Sequence, residues 1–253
     1  MSSQQTTGAG PGSLSQAGDS YWAGVWADPN VAELILQKGK IFTLTRRLFL
    51  EGLRNTCAPL EQLRILDFGC GDGALLADVE CAELLLYEPS PTYTSKLEQL
   101  STHAAGPRKM RVVPELKALP TASVDLIIMH SVAQYLSYSD LAGQLLEFRR
   151  LLSPNQRGVI IADIPHPNRV VDVLGALSAH LWTIPQVLGQ MASLLGSPYS
   201  SARLARHQLA DLVRVADQTG YQCLRLSSRS FNRARVTVLL RLLDLAGVDE
   251  PVH

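Results

Sequence analysis

Short apolar runs alternate along the chain with segments whose apolar residues recur at helical spacing. Runs of strand length lie at 64–68, 84–88, 110–113, 124–130 and 158–164, and two more lie at 223–226 and 236–243. The run at 124–130 is almost continuously apolar, which is typical of a parallel strand buried on both faces. The alternation predicts an α/β protein with a doubly wound, mostly parallel sheet.

The segments between these strands predict the helices. Apolar residues at helical spacing predict one or two N-terminal helices over 31–53 and further helices over 74–79, 90–103, 140–152 and 203–219. Pro89 and Ser90 suit the start of the helix at 90, and Gly220 suits the end of the last helix.

Two segments do not fit a minimal sheet. Residues 1–19 are small and polar, with almost nothing to bury, and we expect a disordered tail before a single domain over 20–253. Residues 165–202 follow the fifth strand, are apolar with very few charges, and predict two helices broken near Pro185. We expect this segment to be an inserted cap over the carboxyl ends of the strands; a dimer face or a membrane contact are the alternatives.

Composition excludes several classes of function. The chain has 253 residues, and its 23 basic and 23 acidic side chains cancel, which argues against a broad nucleic-acid surface. The four cysteines form no C-x-x-C pair, so we expect reduced thiols in a cytoplasmic protein. No secretory signal and no apolar run of membrane-spanning length is found, and we expect no transmembrane segment.

The strongest chemical signal is a glycine-rich turn after the first strand. The strand ends in Asp67, the turn reads Gly69-Cys70-Gly71-Asp72-Gly73, and Glu88 closes the next strand. Ligands of open parallel sheets bind beyond the carboxyl ends of the strands, where these residues meet. Glycines let a ligand approach the backbone, and a carboxylate can accept both hydroxyls of a ribose. The pattern therefore predicts a site for an adenosyl group.

The motif alone fits two cofactors. Gly69-x-Gly71-x-x-Ala74, with Glu88 19 residues after Gly69, also matches a dinucleotide fingerprint. Asp67 would repel a pyrophosphate but attract the amino group and sulfonium of S-adenosylmethionine. The motif also begins about 65 residues into the chain, whereas a dinucleotide domain usually opens with it. S-adenosylmethionine is favoured on these two grounds.

Several motifs in order resemble class I S-adenosylmethionine-dependent methyltransferases. The stretch 67–73 resembles their first motif, and Tyr87-Glu88-Pro89-Ser90 is similar to their second. Residues 119–128 resemble the approach to their fourth strand, and 149–161 the turn before their fifth. The resemblance covers 60–164 well and 205–243 loosely. It implies a Rossmann-like seven-stranded sheet whose last strand inserts antiparallel beside the sixth, S-adenosylmethionine as cofactor, and S-adenosylhomocysteine as product.

The resemblance also implies cofactor-binding positions. The corresponding residues are Asp67, Gly69, Cys70, Gly71, Gly73, Glu88, Pro89, Glu115, Leu116, His130 and Ser131. The glycines form the close-approach turn, Glu88 binds the ribose, and Asp67 orients the amino group. Glu115 departs from the aspartate usual in the family, and a solvated helix acid is the alternative there. The glycines could instead form a purely structural turn, and Glu88 could instead be a solvated acid at the end of a strand.

Three residues are candidates for catalysis. His130 ends the fourth strand and either walls the methionine moiety or acts as general base. Asp163 and His166 follow the fifth strand and can relay a proton, or simply form a turn fixed by Pro165 and Pro167. Two ligands without a third do not make a metal site, so no metal is predicted.

Aromatic and polar side chains are candidates for the acceptor. They are Tyr21, Trp22, Trp26, Gln134, Tyr135 and Trp182. The three N-terminal aromatic residues could instead dock the N-terminus on the core, and Gln134 and Tyr135 could instead form the first turn of a helix. The position after strand four lacks the Asp/Asn-Pro-Pro-aromatic signature of base-amino methyltransferases, so a nucleic-acid substrate is not expected. We therefore expect methyl transfer to a small-molecule or lipid-like acceptor, at oxygen, by a monomer or homodimer. An NAD(P)-dependent oxidoreductase and a non-catalytic S-adenosylmethionine-binding partner protein remain as alternatives.

Overall fold

The computed structural model describes residues 40–102, 109–166, 168, 207–226 and 235–243. The first elements are α1 (Lys40–Cys57), β1 (Arg64–Phe68), β2 (Glu83–Tyr87), α2 (Pro91–Thr102) and β3 (Lys109–Val112). They are followed by β4 (Leu126–His130), α3 (Tyr138–Leu151), β5 (Gly158–Ile164), α4 (Leu209–Gln218), β6 (Tyr221–Leu226) and β7 (Val236–Leu242). Single 3₁₀ turns stand at Leu116–Ala118 and Ala133–Tyr135.

The seven strands form one sheet in the order β3-β2-β1-β4-β5-β7-β6. The first five strands run parallel, while β7 runs antiparallel to both β5 and β6. This arrangement confirms the predicted doubly wound sheet and the antiparallel last strand that the resemblance implies. The strand order reverses between β1 and β4, which is the topological switch point where ligands of such sheets bind.

The sheet is buried on both faces, as the apolar runs predict. One face packs against α1 and α2 through residues such as Leu53 and Leu97, and the other packs against α3 and α4 through Phe148 and Val215. All four of these side chains are almost fully buried. Helices on both faces leave the carboxyl ends of the strands as the edge at which a ligand can enter.

The helix predicted over 74–79 is wrong, because the described backbone there forms consecutive turns. The guanidinium of Arg46 in α1 explains the difference. Its Nε donates to the carbonyl oxygens of Ala74 at 2.9 Å and Leu75 at 3.0 Å, and its Nη2 contacts Asp78 at 2.8 Å. These carbonyls are therefore satisfied by a side chain from another helix, which local sequence patterns do not encode.

Helix α1 ends at Cys57, four residues beyond the predicted end, and α4 begins at Leu209, six residues after the predicted start. The other described boundaries lie within two residues of the prediction. Helix α3 begins at Tyr138, two residues early, because Ser137 caps it in a capping box with Asp140. Strand β4 begins at Leu126, while Val124 forms an isolated bridge with Leu152.

Some predicted features lie outside the described residues. They are the tail at 1–19, the helical segment before Lys40, Tyr21, Trp22, Trp26, Trp182 and the cap beyond its first residues. Among the helices that are described, none combines the length and apolarity needed to cross a bilayer.

Candidate cofactor and catalytic site

The glycine turn after β1 has a backbone that other residues adopt only with strain. Gly69, Gly71 and Gly73 all have positive φ, at 70°, 56° and 73°. The N–H groups of Gly69 and Cys70 both donate to the carbonyl oxygen of Tyr87, at 2.8 and 3.1 Å. The turn is thereby fastened to the end of the neighbouring strand.

Two of these glycines are also enclosed by side chains. A Cβ at Gly69 would lie 2.6 Å from Val132 Cγ2, and one at Gly73 would lie 2.8 Å from Leu100 Cδ2. Real Cβ atoms do not approach carbon this closely, so a side chain at either position requires Val132 or Leu100 to move, in addition to the cost of the positive φ. The turn is therefore fixed in shape before any ligand binds.

Glu88 is held at the carboxyl end of β2 by backbone donors. Its Oε2 accepts from Gly71 N–H at 2.8 Å and its Oε1 accepts from Ser90 N–H at 2.9 Å. Burial raises the pKa of Glu88, and these two donors oppose that increase. A carboxylate has about four acceptor positions, so two hydrogen bonds leave capacity for ribose hydroxyls.

Asp67 is buried in β1, with 1% of its surface exposed. Within the part of the chain that the structure describes, its Oδ2 has no hydrogen-bond partner. Burial, with a contribution from the charge of Glu88, raises the pKa of Asp67 to about 7. A buried carboxylate oxygen without a partner is costly. It fits a ligand that brings a cationic donor, such as the amino group of S-adenosylmethionine.

The other predicted cofactor positions are placed around this turn. Cys70 is buried, and burial raises the pKa of its thiol. Pro89 is exposed beside the helix start. Glu115 is exposed at the start of the 3₁₀ turn, whereas Leu116 is buried in the core cluster that contains Phe68.

A connected set of polar side chains joins the ends of β4 and β5. Ser131 Oγ donates to Asp163 Oδ2 at 2.5 Å and lies 3.2 Å from His130 Nδ1. Arg235, just before β7, donates from Nη1 to the backbone oxygen of Asp163 at 3.0 Å and to its Oδ2 at 3.3 Å. Ser131 and Asp163 both have positive φ, at 57° and 61°, which is uncommon outside glycine.

His130 stands in this set against an apolar neighbour from α1. The ring of Phe49 meets the imidazole edge-on, with 4.9 Å between ring centroids. Desolvation lowers the pKa of His130; the charge of Asp163 opposes this and the charge of Arg235 adds to it. A histidine with a lowered pKa is neutral at physiological pH, as a general base must be.

Three other candidates have internal contacts. Gln134 is buried and its Nε2 donates to the carbonyl oxygen of Ser131 at 3.0 Å. Tyr135 lies in the 3₁₀ turn, and burial raises the pKa of its phenol. His166 Nδ1 accepts from Asn168 N–H at 3.0 Å, a contact that belongs to a local turn.

A cavity of about 170 Å³ opens beside His130 and Asp163, between α1 and the sheet. Its apolar lining includes Leu48, Phe49, Leu53, Ile160, Ala162 and Leu226, and its polar lining includes Thr45, Asn55, Thr56 and Thr237. Thr45 Oγ1 is buried and, among the described residues, has no hydrogen-bond partner.

Sequence reasoning missed four residues of this region. Arg46, Phe49, Thr45 and Arg235 carry no motif, and each reaches the site from an element remote in sequence. The one available signal was that Arg46 interrupts the apolar spacing of α1 on its inward side.

Comparison with known proteins agrees with this geometry. Residues 66–158 match a family model described as a methyltransferase domain. No curated protein matches the sequence.

Solved structures match over most of the chain at low sequence identity. A SAM-dependent methyltransferase from Leishmania major is 17% identical, with a TM-score of 0.55 over 88% of this chain and 81% of that one. Magnesium protoporphyrin IX methyltransferase from Synechocystis PCC 6803, with bound SAM, is 14% identical, with a TM-score of 0.57 over 92% and 100%. The pyocyanin biosynthetic protein PhzM is 13% identical, with a TM-score of 0.58 over 87% and 61%.

The sheet order and these likenesses define a Rossmann-like class I methyltransferase fold. The family match runs from within β1 to the first residue of β5, and so includes the glycine turn, Glu88 and the end of β4.

Proposed function

We propose that the protein transfers the methyl group of S-adenosylmethionine to an oxygen atom of a small-molecule or lipid-like acceptor, with His130 as general base. The cavity between α1 and the sheet carries this proposal, because it is lined by His130 and Asp163 and adjoins the carboxyl ends of β4 and β5. A cavity of about 150 Å³ holds one benzene ring. A volume of about 170 Å³ therefore suits a single ring, or a chain of similar size.

The lining favours an acceptor without net charge. Most of its side chains are apolar or carry only hydroxyl and amide groups, and the charge of Asp163 is offset by the ion pair with Arg235. An unpaired charged acceptor would lose hydration here without a compensating partner. Two proteins that share this fold are a magnesium protoporphyrin IX methyltransferase and a pyocyanin biosynthetic protein, and both names refer to small molecules.

The cofactor fits the residues around the glycine turn. We assign the ribose hydroxyls to Glu88, the amino group to Asp67, and the close backbone approach to the turn from Gly69 to Gly73. Bound there, S-adenosylmethionine supplies a methyl group activated on a sulfonium. Pro89, Glu115 and Leu116 flank the adenosyl group in this assignment, and Cys70 and Ser131 stand at its edges.

The protein then has to align the acceptor and remove its proton. The acceptor oxygen would bond to the methyl carbon as the carbon–sulfur bond breaks, with the electron pair of that bond staying on sulfur. His130 would take the proton of the acceptor on a ring nitrogen. Alignment by the cavity walls and exclusion of water supply much of the rate enhancement in such reactions. General-base catalysis adds typically 10²–10⁴-fold.

The remaining predictions are kept as parts of this proposal. We expect one domain over 20–253, a cytoplasmic location, and a monomer or homodimer. The apolar segment at 165–202 with Trp182, and the aromatic residues Tyr21, Trp22 and Trp26, would close over the acceptor; Gln134 and Tyr135 would line its entrance. His166 would assist Asp163 in proton transfer.

The first test is calorimetric titration of the full chain with S-adenosylhomocysteine, with NAD as a second ligand. We expect binding of S-adenosylhomocysteine that Glu88→Ala abolishes, whereas Glu98→Ala, an exposed acid on α2, leaves it unchanged. Binding of NAD in place of S-adenosylhomocysteine would overturn the cofactor assignment.

The second test identifies the acceptor class by release of S-adenosylhomocysteine. The panel pairs each ring or chain alcohol with its amine and its already methylated ether. Turnover with alcohols, absent with the ethers and lost in His130→Gln, supports the proposal. Turnover restricted to amines contradicts transfer to oxygen.

A further inference from the structure

We propose that Arg235, Asp163 and Ser131 form a chain of positioning residues that holds His130 in its Nδ1–H tautomer and so leaves the lone pair on Nε2 for the reaction. The inference rests on the proposed function only in giving that lone pair a use. None of the sequence motifs described above gives Arg235 or Ser131 a role in proton transfer.

The direction of the hydrogen bonds follows from proton counting. Asp163 forms an ion pair with Arg235, with 3.3 Å between Oδ2 and Nη1, so its carboxylate is an acceptor. Ser131 Oγ lies 2.5 Å from the same Oδ2, and its only proton therefore points to Asp163.

His130 must then be the donor in the next link. Its Nδ1 lies 3.2 Å from Ser131 Oγ, whose proton is already committed, so a hydrogen bond between them requires a proton on Nδ1. In a neutral imidazole the other nitrogen, Nε2, then carries the lone pair. Asp163 therefore accepts from Arg235 and from Ser131, and Ser131 accepts from His130.

The backbone supports a functional origin for this arrangement. Ser131 and Asp163 both adopt a left-handed conformation, which costs a non-glycine residue of order 1–3 kcal/mol. The two residues sit at the ends of neighbouring strands, and Ser131 N–H donates to Ala162 O at 3.0 Å. Strained residues that persist in pairs at the end of a sheet point to a purpose other than folding, and here the Asp163 carboxylate accepts from the Ser131 hydroxyl that lies beside the imidazole.

Arg235 contributes more than a charge. Its Nη1 contacts both the backbone oxygen and the carboxylate of Asp163, which fixes the side-chain rotamer. Without this anchor, the Asp163 carboxylate can turn away from Ser131. Ser131 would then turn its own proton to His130 Nδ1 and reverse the tautomer.

The test is a long-range ¹H–¹⁵N spectrum of the full-length protein labelled on histidine nitrogens, near neutral pH. The six histidines are separated by comparison with His130→Gln, which removes one set of signals. We expect the wild-type His130 to show a protonated Nδ1 and an unprotonated Nε2. A protonated Nε2 in the wild-type protein overturns the proposal, and this result needs no variant and no acceptor.

Variants then test the members of the chain. Ser131→Ala is expected to shift His130 toward the Nε2–H tautomer that free histidine prefers, and Arg235→Gln to give a mixture, while Arg235→Lys keeps the wild-type pattern. Ser139→Ala, at an exposed serine, serves as the control. An unchanged spectrum in folded Ser131→Ala shows that Ser131 does not set the tautomer; an unchanged spectrum in Arg235→Gln removes Arg235 from the chain.

The activity measurement separates this inference from the proposed function. With an acceptor in hand, Ser131→Ala should lower kcat at least tenfold while the KM for the acceptor stays within about twofold. A protein with the expected tautomer but no turnover on any acceptor would contradict the proposed function and leave the positioning chain intact. A loss confined to KM would contradict the positioning role.

Discussion

Arg46 Nε in α1 lies 2.9 Å from the carbonyl oxygen of Ala74, which follows the glycine turn directly. This contact joins the helix that lines the cavity beside His130 to the loop in which we propose the cofactor site. The same guanidinium reaches Leu75 and Asp78, so one side chain replaces the hydrogen bonds that a helix over 74–79 would have made. Helix α1 therefore helps to shape the glycine turn even though its sequence contains no motif.

Arg46→Ala should weaken cofactor binding from a distance. The two carbonyls lose a charged donor, and we expect a loss of ~1–3 kcal/mol in the free energy of unfolding and a severalfold weaker binding of S-adenosylhomocysteine. The contact with exposed Asp78 contributes little to this loss. Denaturant unfolding and calorimetry check both effects. Arg47→Ala, at the exposed neighbouring position, is the control, and equal affinities in the two variants would contradict the coupling.

Asp67 predicts a pH dependence of cofactor affinity. Its pKa in the free protein is raised to about 7 by burial, so at pH 6 a cationic amino group must displace a proton from it. If binding lowers that pKa well below 6, affinity for S-adenosylhomocysteine rises about tenfold between pH 6 and 8. Titration in buffers of different ionisation enthalpy measures the proton released. Asp67→Asn should bind weakly at both pH values, and a wild-type affinity that falls with rising pH would contradict the assignment.

The carboxyl group of Asp67 also makes the stability of the free protein depend on pH, and this stability falls as the pH rises. Between its unfolded value near 3.9 and about 7, the folded protein without ligand holds a proton that the unfolded chain has lost, so stability falls as pH rises through this window. Asp67→Asn should therefore raise the free energy of unfolding at pH 8 by ~1–3 kcal/mol while impairing binding. Denaturant curves at pH 5 and pH 8 test this, and a variant that is less stable at pH 8 would contradict it.

Gly69→Ala should destabilise the fold for two separable reasons. A left-handed conformation costs an alanine ~1–2 kcal/mol, and overlap with Val132 Cγ2 at 2.6 Å adds a similar amount. In a protein that carries Val132→Ala the overlap is absent, so adding Gly69→Ala should cost only the backbone strain. Gly143→Ala, in α3 with open space around it, should instead stabilise by up to ~1 kcal/mol. Thermal melts rank the four proteins.

Thr45→Val tests whether the cavity holds a polar acceptor group. Thr45 Oγ1 is buried and, within the described part of the chain, unpartnered, so valine should leave the stability unchanged or raise it. An acceptor that donates or accepts a hydrogen bond at this oxygen should bind about tenfold more weakly to the variant, with the KM for the cofactor unchanged. Thr43→Val, at an exposed site on the same helix, is the control. An unchanged KM for the acceptor would place its polar group elsewhere in the cavity.

Strand positions and the glycine turn were predictable from local sequence because each depends on neighbouring residues. Continuous apolar runs at β4 and β5 follow from burial on both faces, and the positive φ values of Gly69, Gly71 and Gly73 follow from the glycines themselves. Ser137 with Asp140 is likewise a local signal for the start of α3, although the sequence analysis placed that start two residues late.

The tertiary structure decided what no local pattern encodes. The carbonyls at 74 and 75 are satisfied by Arg46 from 28 and 29 positions away, in place of a helix that the sequence favoured. The set His130–Ser131–Asp163–Arg235 depends on three strand ends that meet only after β7 inserts between β5 and β6. The sequence by itself determined the class of fold and the cofactor turn, because those rest on spacing along the chain. The cavity beside His130 and the polar contacts around its imidazole rest on long-range contacts, which exist only in the folded protein.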